Sequence, residues 1–245
     1  MTDILRPVLE LSVIIPGILL AYLPVKSYLR QTPLKLTAWL LPILLGICIL
    51  GGAVCCALQI PTRWFLFPLL PVIMLIYHKT LKISVWKSVS IFLAVFAVFT
   101  CVKSLSRAVN ALMTADLHIA ENELWLHTDA GIFYNVICIL FVLAAWYPAR
   151  HCVQTMIADE NFAQTWYVFW ILPVISIGVN LFMIPKYRST LYTGRVLQCY
   201  IVLSLVLLIT LLLFYAMFLM MAVSLNRNAR LQQENHFLSL QQERY

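Results

Sequence analysis

The chain of 245 residues is 62% hydrophobic and only 11% charged, whereas soluble domains carry about 25% charged residues. A soluble core of this length cannot bury so much apolar surface, so the composition excludes an ordinary soluble domain and indicates a membrane protein. The formal net charge of +7 is explained by attraction to anionic lipid headgroups, which makes membrane lipid, and not nucleic acid, the expected partner.

Seven mostly apolar stretches follow one another along the chain. A bilayer core about 30 Å thick needs about 20 helical residues to cross it, and continuously apolar stretches favour helices over barrel strands, which alternate apolar and polar residues. The sequence therefore predicts an all-α polytopic membrane helix bundle of about seven transmembrane helices. They are placed at Leu5–Leu23, Leu36–Leu58, Trp64–Tyr77, Val85–Val102, Ile132–Trp146, Trp166–Ile184 and Val196–Leu225.

The predicted domains are a transmembrane sensor domain at residues 1–225 and a cytoplasmic signalling helix at residues 226–245. The opening MTDILRPVLELS lacks the basic leader of a signal peptide, so we expect the first span to be retained. With the N-terminus outside, lysine and arginine number seven on each side, and Arg227, Arg230 and Arg244 raise the inner count to ten. This excess predicts a multi-pass protein of the cell membrane with an extracellular N-terminus and a cytoplasmic C-terminus.

Prolines, small residues and cysteines inside the spans predict how the helices pack. Five prolines that favour kinks lie at Pro16, Pro42, Pro68, Pro71 and Pro173. Gly51, Gly52 and Cys55 belong to a cluster of small residues in the second span, which predicts a close helix contact. The seven cysteines lie in or beside spans without the spacing of a disulfide framework, so we expect free packing residues.

Charged groups deep in a bilayer would indicate a transport path, because each costs at least about 2.5 to 3.5 kcal/mol. Glu10 is the only acidic residue within a predicted span, and it lies close enough to the start for its carboxylate to reach the headgroups. Asn135, Asn180 and Gln198 are explained by hydrogen bonds between helices. This scarcity of charge argues against a proton-coupled transporter or an ion pump.

The longest outer connection, residues 103–131, holds candidate ligand contacts. They are His118, Glu121, Glu123, Trp125 and His127, with Asp129 and Phe133 nearby. Their spacing matches no strong zinc pattern, and a solvated acidic loop is the simpler interpretation, with Asp129 as the N-cap of the fifth span. The functional hypothesis is that this loop helps to form an extracellular ligand entrance. The sequence predicts no catalytic, cofactor-binding or metal-ligating residue, because no phosphate loop, H-E-x-x-H helix or G-x-S-x-G elbow is present.

The tail after Leu225 is rich in helix formers and contains no Gly or Pro, which predicts that the last span continues as a helix out of the membrane. Two sets of positions recur every seven residues, Leu231, Leu238 and Tyr245 in one and Asn228, Asn235 and Gln242 in the other. Polar residues along a seam weaken a coiled coil but fix its register. The pattern predicts a weak parallel contact between two copies of the chain, with a solvated end-helix as the alternative.

The segment LNRNARLQQENHFLSLQQERY resembles the linker and the start of the dimerisation helix in Firmicutes-type sensor histidine kinases with a GHKL ATPase domain. The membrane body is similar to their N-terminal sensor regions. The resemblance implies a membrane sensor module of a two-component system, which passes an extracellular or membrane stimulus to a cytoplasmic kinase domain and its response regulator. It places the phosphoacceptor histidine and the ATPase domain, with its ATP and magnesium, beyond Tyr245, since His236 lacks the family's surrounding motif. It also implies a peptide as one possible ligand.

Two other classes of function remain open. The first is a small multi-pass transporter or permease, in which kinked helices enclose a path and the tail is regulatory. The scarcity of charge inside the spans and the lack of a visible inverted repeat argue against it. The second is a membrane scaffold that anchors a partner, which differs from a sensor in having no ligand-dependent change at the tail.

Overall fold

The computed structural model of the chain describes residues 2–114, 124–158, 165–183 and 194–242. All regular elements within these ranges are helical, which confirms the all-α prediction. The α-helices are α1 (Thr2–Ser12), α2 (Ile14–Tyr22), α3 (Pro33–Leu58), α4 (Thr62–Lys79), α5 (Val85–Thr114), α6 (Thr128–Pro148), α7 (Gln154–Ala158), α8 (Trp166–Phe169), α9 (Ile171–Phe182) and α10 (Gly194–Gln242). A 3-10 turn at Lys26–Tyr28 and a π-helical turn at Ala149–Val153 complete them.

Five helical segments of the described chain are long and apolar enough to cross a membrane. They are Ile4–Tyr22, Pro33–Leu58, Val85–Met113, Thr128–Ala158 and Gly194–Met221. Trp166–Phe182 is apolar but shorter, and α4 carries Arg63 at its start and His78 and Lys79 at its end. The five segments indicate a membrane protein, while the predicted third and sixth spans correspond to helices that are less apolar or shorter.

Many large apolar side chains lie on the outside of the described bundle, while several polar side chains are buried among the apolar residues of its interior. Leu50 is 68% exposed and Phe182 is 92% exposed, whereas Ser90 and Ser104 are at most 2% exposed. Apolar side chains on the outside are stable against lipid, and polar side chains in lipid-embedded bundles turn inward to find hydrogen-bond partners. The surface of the bundle is therefore built to face hydrocarbon.

Two of the five span prolines break their helices at the expected place. A proline ring clashes with the carbonyl four residues earlier, and the interruption at Val13 lies directly after Ser12, four residues before Pro16. Likewise the interruption at Trp170 lies directly after Phe169, four residues before Pro173. The other three prolines lie within the continuous helices α3 and α4.

The helix ends meet at two opposite faces of the bundle. At one face, which we call the Thr80 face, the Arg30 backbone N–H donates a hydrogen bond to Thr80 O over 2.9 Å. Gln154 Nε2 donates to Ser27 Oγ over 2.7 Å and joins the start of α7 to the same face. At the other, here the Glu10 face, Trp125 Nε1 donates to Ile60 O over 3.1 Å.

The long helix α10 runs from the Glu10 face toward the Thr80 face. Near its start Tyr200 packs with Ala108 and Ala111 close to the end of α5. Further along, Phe218 joins a cluster with Tyr77, which lies at the end of α4. The helix then continues to Gln242 without interruption, so the predicted continuation of the last span as a helix is confirmed.

Two boundary predictions near the fourth and fifth spans are wrong. The predicted outer connection begins at Lys103, but α5 continues to Thr114. Lys103 is therefore a helical residue. Its side chain lies inside the bundle, where it pairs with the buried partner described below. Asp129 does not cap α6, since His127 occupies the N-cap position without a side-chain cap and Asp129 lies in the first turn.

The predicted small-residue contact is confirmed between α1 and α3, which form the most extensive helix pair among the described residues. A Cβ atom added at Gly52 would lie 3.1 Å from Val8 N and 3.2 Å from Val8 Cα, in contact with backbone. At Gly51 the added atom would contact the Phe65 ring and Leu11. By contrast, an added Cβ at Gly46 meets nothing within 4 Å.

We expect Gly52→Ala to lower the free energy of unfolding by about 1 to 3 kcal/mol, the usual cost of overpacking, because α1 must move away from α3. Gly46→Ala is the matched control in the same helix, and removing a mid-helix glycine there should be neutral or stabilising by up to about 1 kcal/mol. The measurement is denaturation by sodium dodecyl sulfate in mixed micelles. Equal effects of the two substitutions would contradict the close contact at Gly52.

Candidate functional site

A buried ion pair joins α1 to α5 at the Glu10 face. Lys103 Nζ lies 2.9 Å from Glu10 Oε2, with the two side chains 13% and 4% exposed. The same carboxylate oxygen accepts a hydrogen bond from the Thr62 hydroxyl over 2.5 Å. The other oxygen accepts one from the Leu126 backbone N–H over 2.6 Å. Lys103 Nζ in turn donates to Thr62 Oγ1 over 3.3 Å.

This arrangement ties four parts of the chain together at one carboxylate: α1, the first residue of α4, the C-terminal half of α5 and the segment before α6. A buried charge is tolerated when it is paired and its remaining hydrogen-bonding capacity is used, and Glu10 meets both conditions. The prediction that Glu10 reaches the headgroups is wrong. Because Glu10 is buried, charge is present inside the bundle, and its scarcity no longer argues against a transporter. The carboxylate is fully occupied by its donors, however, which indicates a fixed ion pair and not a proton relay.

The segment before α6 is held firmly against the helix ends. Trp125 is 9% exposed and Leu126 is 4% exposed, and His127 N–H donates to Asn110 Oδ1 over 2.8 Å. His127 Nδ1 lies 3.4 Å from Asp129 Oδ2. Of the predicted entrance residues, Trp125 is thus buried beside Ile60.

The other predicted entrance residues, His118, Glu121 and Glu123, lie outside the described residues. Phe133 is 38% exposed on α6. No group of three or more His, Cys, Asp or Glu side chains within the ranges that the structure describes lies close enough together to hold a metal ion. The structure thus brings Trp125 and His127 together near the start of α6 but leaves the proposed entrance a prediction.

A cavity of about 270 Å³, here the cationic cavity, lies between α4, α5, α6 and α9 beside the ion pair. Three basic side chains line it, Arg63 from the first turn of α4 and Lys103 and Arg107 from α5. Its other walls are mainly apolar and include Leu66, Phe67, Leu70, Phe96, Phe99, Tyr134 and Ile177. Lys103 is paired with Glu10, whereas neither arginine has a carboxylate partner among the described residues. The cavity therefore combines excess positive charge with an apolar interior.

Hydrogen bonds connect the cationic cavity to α9. Ser104 Oγ donates to Asn180 Oδ1 over 2.7 Å, and Asn180 Nδ2 donates to Ser176 O over 2.9 Å and to Cys101 Sγ over 3.2 Å. The predicted interhelical role of Asn180 is confirmed. Asn135 is similar, since its Oδ1 accepts from the Ser12 hydroxyl over 2.8 Å.

Gln198, the third residue for which a hydrogen bond between helices is predicted, is instead exposed on α10. The prediction for cysteine agrees with the structure, in which all seven cysteines are free and Cys48, Cys55, Cys101 and Cys138 are buried.

A second cavity of about 350 Å³, here the apolar cavity, lies beside α10 in the half of the bundle near the Thr80 face. Trp166 and Phe169 contribute to its wall from α8, and Tyr215, Ala216 and Phe218 from α10. The ring centroids of Phe169 and Phe218 are 4.4 Å apart. The Tyr215 hydroxyl donates to Ala94 O over 3.1 Å. Van der Waals contacts and the Tyr215 hydrogen bond therefore hold this part of α10 next to unfilled space.

The predicted signalling-helix residues other than Tyr245 lie on the part of α10 that extends beyond the bundle. Leu231 is 48% exposed, and Asn228 is also exposed. The backbone of Asn235, Leu238 and Gln242 is helical, while their side chains and all of Tyr245 lie outside what the structure describes. The coiled-coil seam therefore stays a prediction.

Comparison of the chain with protein-family models, with curated proteins and with solved structures finds no match. The geometry of the bundle is consequently the basis for the function proposed below.

We expect Glu10→Gln and Lys103→Met each to lower the free energy of unfolding by about 3 kcal/mol or more, because each leaves a buried charge without its partner. The free energy of unfolding of the double variant should fall by less than the sum of the two single decreases, with a coupling energy of about 0.5 to 3 kcal/mol. Asp129→Asn, at a carboxylate that is 62% exposed, should change stability by less than about 0.5 kcal/mol. Additive effects of Glu10→Gln and Lys103→Met in mixed-micelle unfolding would contradict the ion pair.

Proposed function

We propose that the chain is the membrane sensor module of a two-component sensor histidine kinase. It passes an extracellular or membrane stimulus to a cytoplasmic kinase domain, which acts on a response regulator. The observation that carries the proposal is α10, an unbroken helix of 49 residues. Its first half packs against the bundle and its last part extends beyond it, so displacement of the packed half is transmitted along a stiff element.

The apolar cavity supports the proposal because it lies against the packed half of α10. Cavity walls lack van der Waals partners on one side and lose that attraction. An alternative packing of α10 against α8 and α5 therefore competes with the observed one at low cost. A stimulus with a preference of about 1 to 3 kcal/mol for one packing would shift the population substantially.

We further propose that the chain crosses the membrane seven times. The two additional crossings are α4 and the helical segment Trp166–Phe182. With a cytoplasmic C-terminus, this parity places the N-terminus and the Glu10 face outside the cell and the Thr80 face inside. The alternation of helix ends between the two faces supports this order, because successive crossings run in opposite directions when α1 with α2, and α8 with α9, are each counted as one crossing.

We propose that the functional unit is a homodimer formed along α10. Only 17% of the apolar window of this helix is buried within the chain. Its exposed residues include Val202, Val206, Ile209 and Leu213, whose spacing of four, three and four residues is that of a helix-pairing seam. Leu231 and Leu238 lie one residue beyond the heptad positions of this seam, so the pairing would reach the tail through one break in the seven-residue repeat. The polar companions Asn228 and Asn235 would keep it weak enough to be rearranged.

We expect Leu231→Cys, in a chain whose seven native cysteines are replaced, to form a disulfide between two copies under mild oxidation in membranes. Gln232→Cys is the control, because this exposed residue lies off the predicted seam and should crosslink more slowly. The measurement is the fraction of covalent dimer on a non-reducing gel over time. Absence of crosslinking at Leu231 under every condition would refute the dimer.

We expect Ala216→Leu to fill part of the apolar cavity and to stabilise the observed packing of α10, by about 0.8 kcal/mol for each methylene buried. The thermal unfolding midpoint should rise. The Leu231→Cys crosslinking rate should change by about fivefold or more, since about 1 kcal/mol shifts a population ratio to that extent. Ala57→Leu, at an exposed position of α3, is the matched control and should leave the crosslinking rate unchanged. An unaltered rate in both variants would contradict mechanical coupling through α10.

A further inference from the structure

We infer that the cationic cavity binds an anionic amphiphile, whose single carboxylate or phosphate head contacts Arg63 and Arg107 and whose linear apolar tail lies among the aromatic and aliphatic walls. The binding site itself stands on the geometry of the cavity. Its role as the stimulus rests on the proposed sensor function.

The anionic head of the ligand is inferred from the excess positive charge of the cationic cavity. Arg63, Lys103 and Arg107 all line the same cavity, and the carboxylate of Glu10 neutralises Lys103. The Glu10 oxygens already accept hydrogen bonds from Thr62 and Leu126, so this carboxylate does not also neutralise the arginines. Arg63 and Arg107 therefore leave two positive charges facing a largely apolar space, without carboxylate partners in the described part of the chain.

Guanidinium groups suit such a head better than ammonium groups do. Each presents a planar fork of donors that matches a carboxylate or a phosphate, and charge-assisted bonds of this kind are stronger than neutral ones. Arg63 is exposed at the mouth, while Arg107 is half-buried. An anion can thus approach Arg63 from outside and reach Arg107 within.

The tail is assigned by the shape and lining of the interior. Leu66, Leu70, Phe96, Phe99 and Ile177 supply an apolar wall beyond the arginines. The volume of about 270 Å³ is nearly twice the roughly 150 Å³ of an engineered apolar cavity that binds benzene. It lies below the range of about 300 to 1,000 Å³ typical of drug-sized ligands. A single acyl-like chain fits this space better than a cyclic or folded peptide.

Occupation of the cavity would act directly on the elements that hold α10. Ile177, Asn180 and Leu181 form its wall on α9, and Asn180 is hydrogen-bonded to Ser104 of α5. Both α5 and α9 contact α10. A ligand that separates α5 from α9 would therefore change the surface on which α10 packs.

The test measures equilibrium binding of radiolabelled dodecanoate to the full chain in phosphatidylcholine nanodiscs. We expect saturable binding of one molecule per chain, at least about tenfold tighter than that of dodecanol, which lacks the charge. Arg63→Gln and Arg107→Gln should each weaken binding by about tenfold. Arg150→Gln, at an exposed arginine of the π-helical turn, should have no effect.

A second variant separates loss of binding from loss of folding. Leu66→Trp narrows the apolar interior without changing the charges, and it should weaken dodecanoate binding by about tenfold while the thermal unfolding midpoint stays near that of the parent. Lysophosphatidylglycerol and nanodiscs containing phosphatidylglycerol identify the source of the ligand. Preferential binding of the former, with competition by the latter, assigns the site to a lipid headgroup, whereas dodecanoate binding without competition assigns it to a free fatty acid.

Two results would overturn the inference. One is dodecanoate uptake that does not saturate, and the other is binding that is equal for dodecanol and unchanged by the arginine substitutions. Failure of the sensor proposal looks different. In that case dodecanoate binds through the arginines, but the Leu231→Cys crosslinking rate is the same with and without it. This result would confirm the binding site and refute its role as the stimulus.

Discussion

The ion pair between Glu10 and Lys103 constrains the packing of the whole Glu10 face. In a medium of low dielectric constant an unpaired charge is far more costly than in water, so the two side chains must stay together wherever their helices move. Thr62 and the backbone of Leu126 complete the shell of donors around the carboxylate. Three helices and the segment before α6 are therefore fixed relative to one another, and the cationic cavity is built on this fixed frame.

The Glu10 face and the packing of α10 beside the apolar cavity depend on different kinds of interaction. Directional hydrogen bonds and the ion pair dominate at the Glu10 face, and they allow few alternative arrangements. Around the packed half of α10, aromatic rings such as Phe169 and Phe218 contact each other beside the apolar cavity. Dispersion contacts are individually weak and not directional, so this region tolerates repacking. In the proposed sensor, the stimulus would act on the rigid frame at the Glu10 face, and α10 would move against the less rigid packing around the apolar cavity.

Several sequence patterns correctly predict local features of the fold. Pro16 and Pro173 break helices because the ring clash acts within one turn, and Gly52 marks a close contact because only a missing Cβ permits it. These effects are local or involve one neighbour. The prediction that places Lys103 after the fourth span is wrong for the opposite reason. A basic residue after an apolar run looks like the end of a span, and nothing nearby in sequence reveals that Glu10, far away in the chain, neutralises it.

By itself, the sequence determined that this is an all-α protein with an apolar exterior and that its last helix continues into a polar tail. Composition, hydrophobic length and helix propensity decide these features, and none of the three depends on which helices become neighbours. Only the tertiary structure decided that Arg63 and Arg107 share a cavity with an already paired lysine. It also decided that α10 borders unfilled space. Cavities and charge balance depend on which helices become neighbours, and packing between distant segments sets that arrangement.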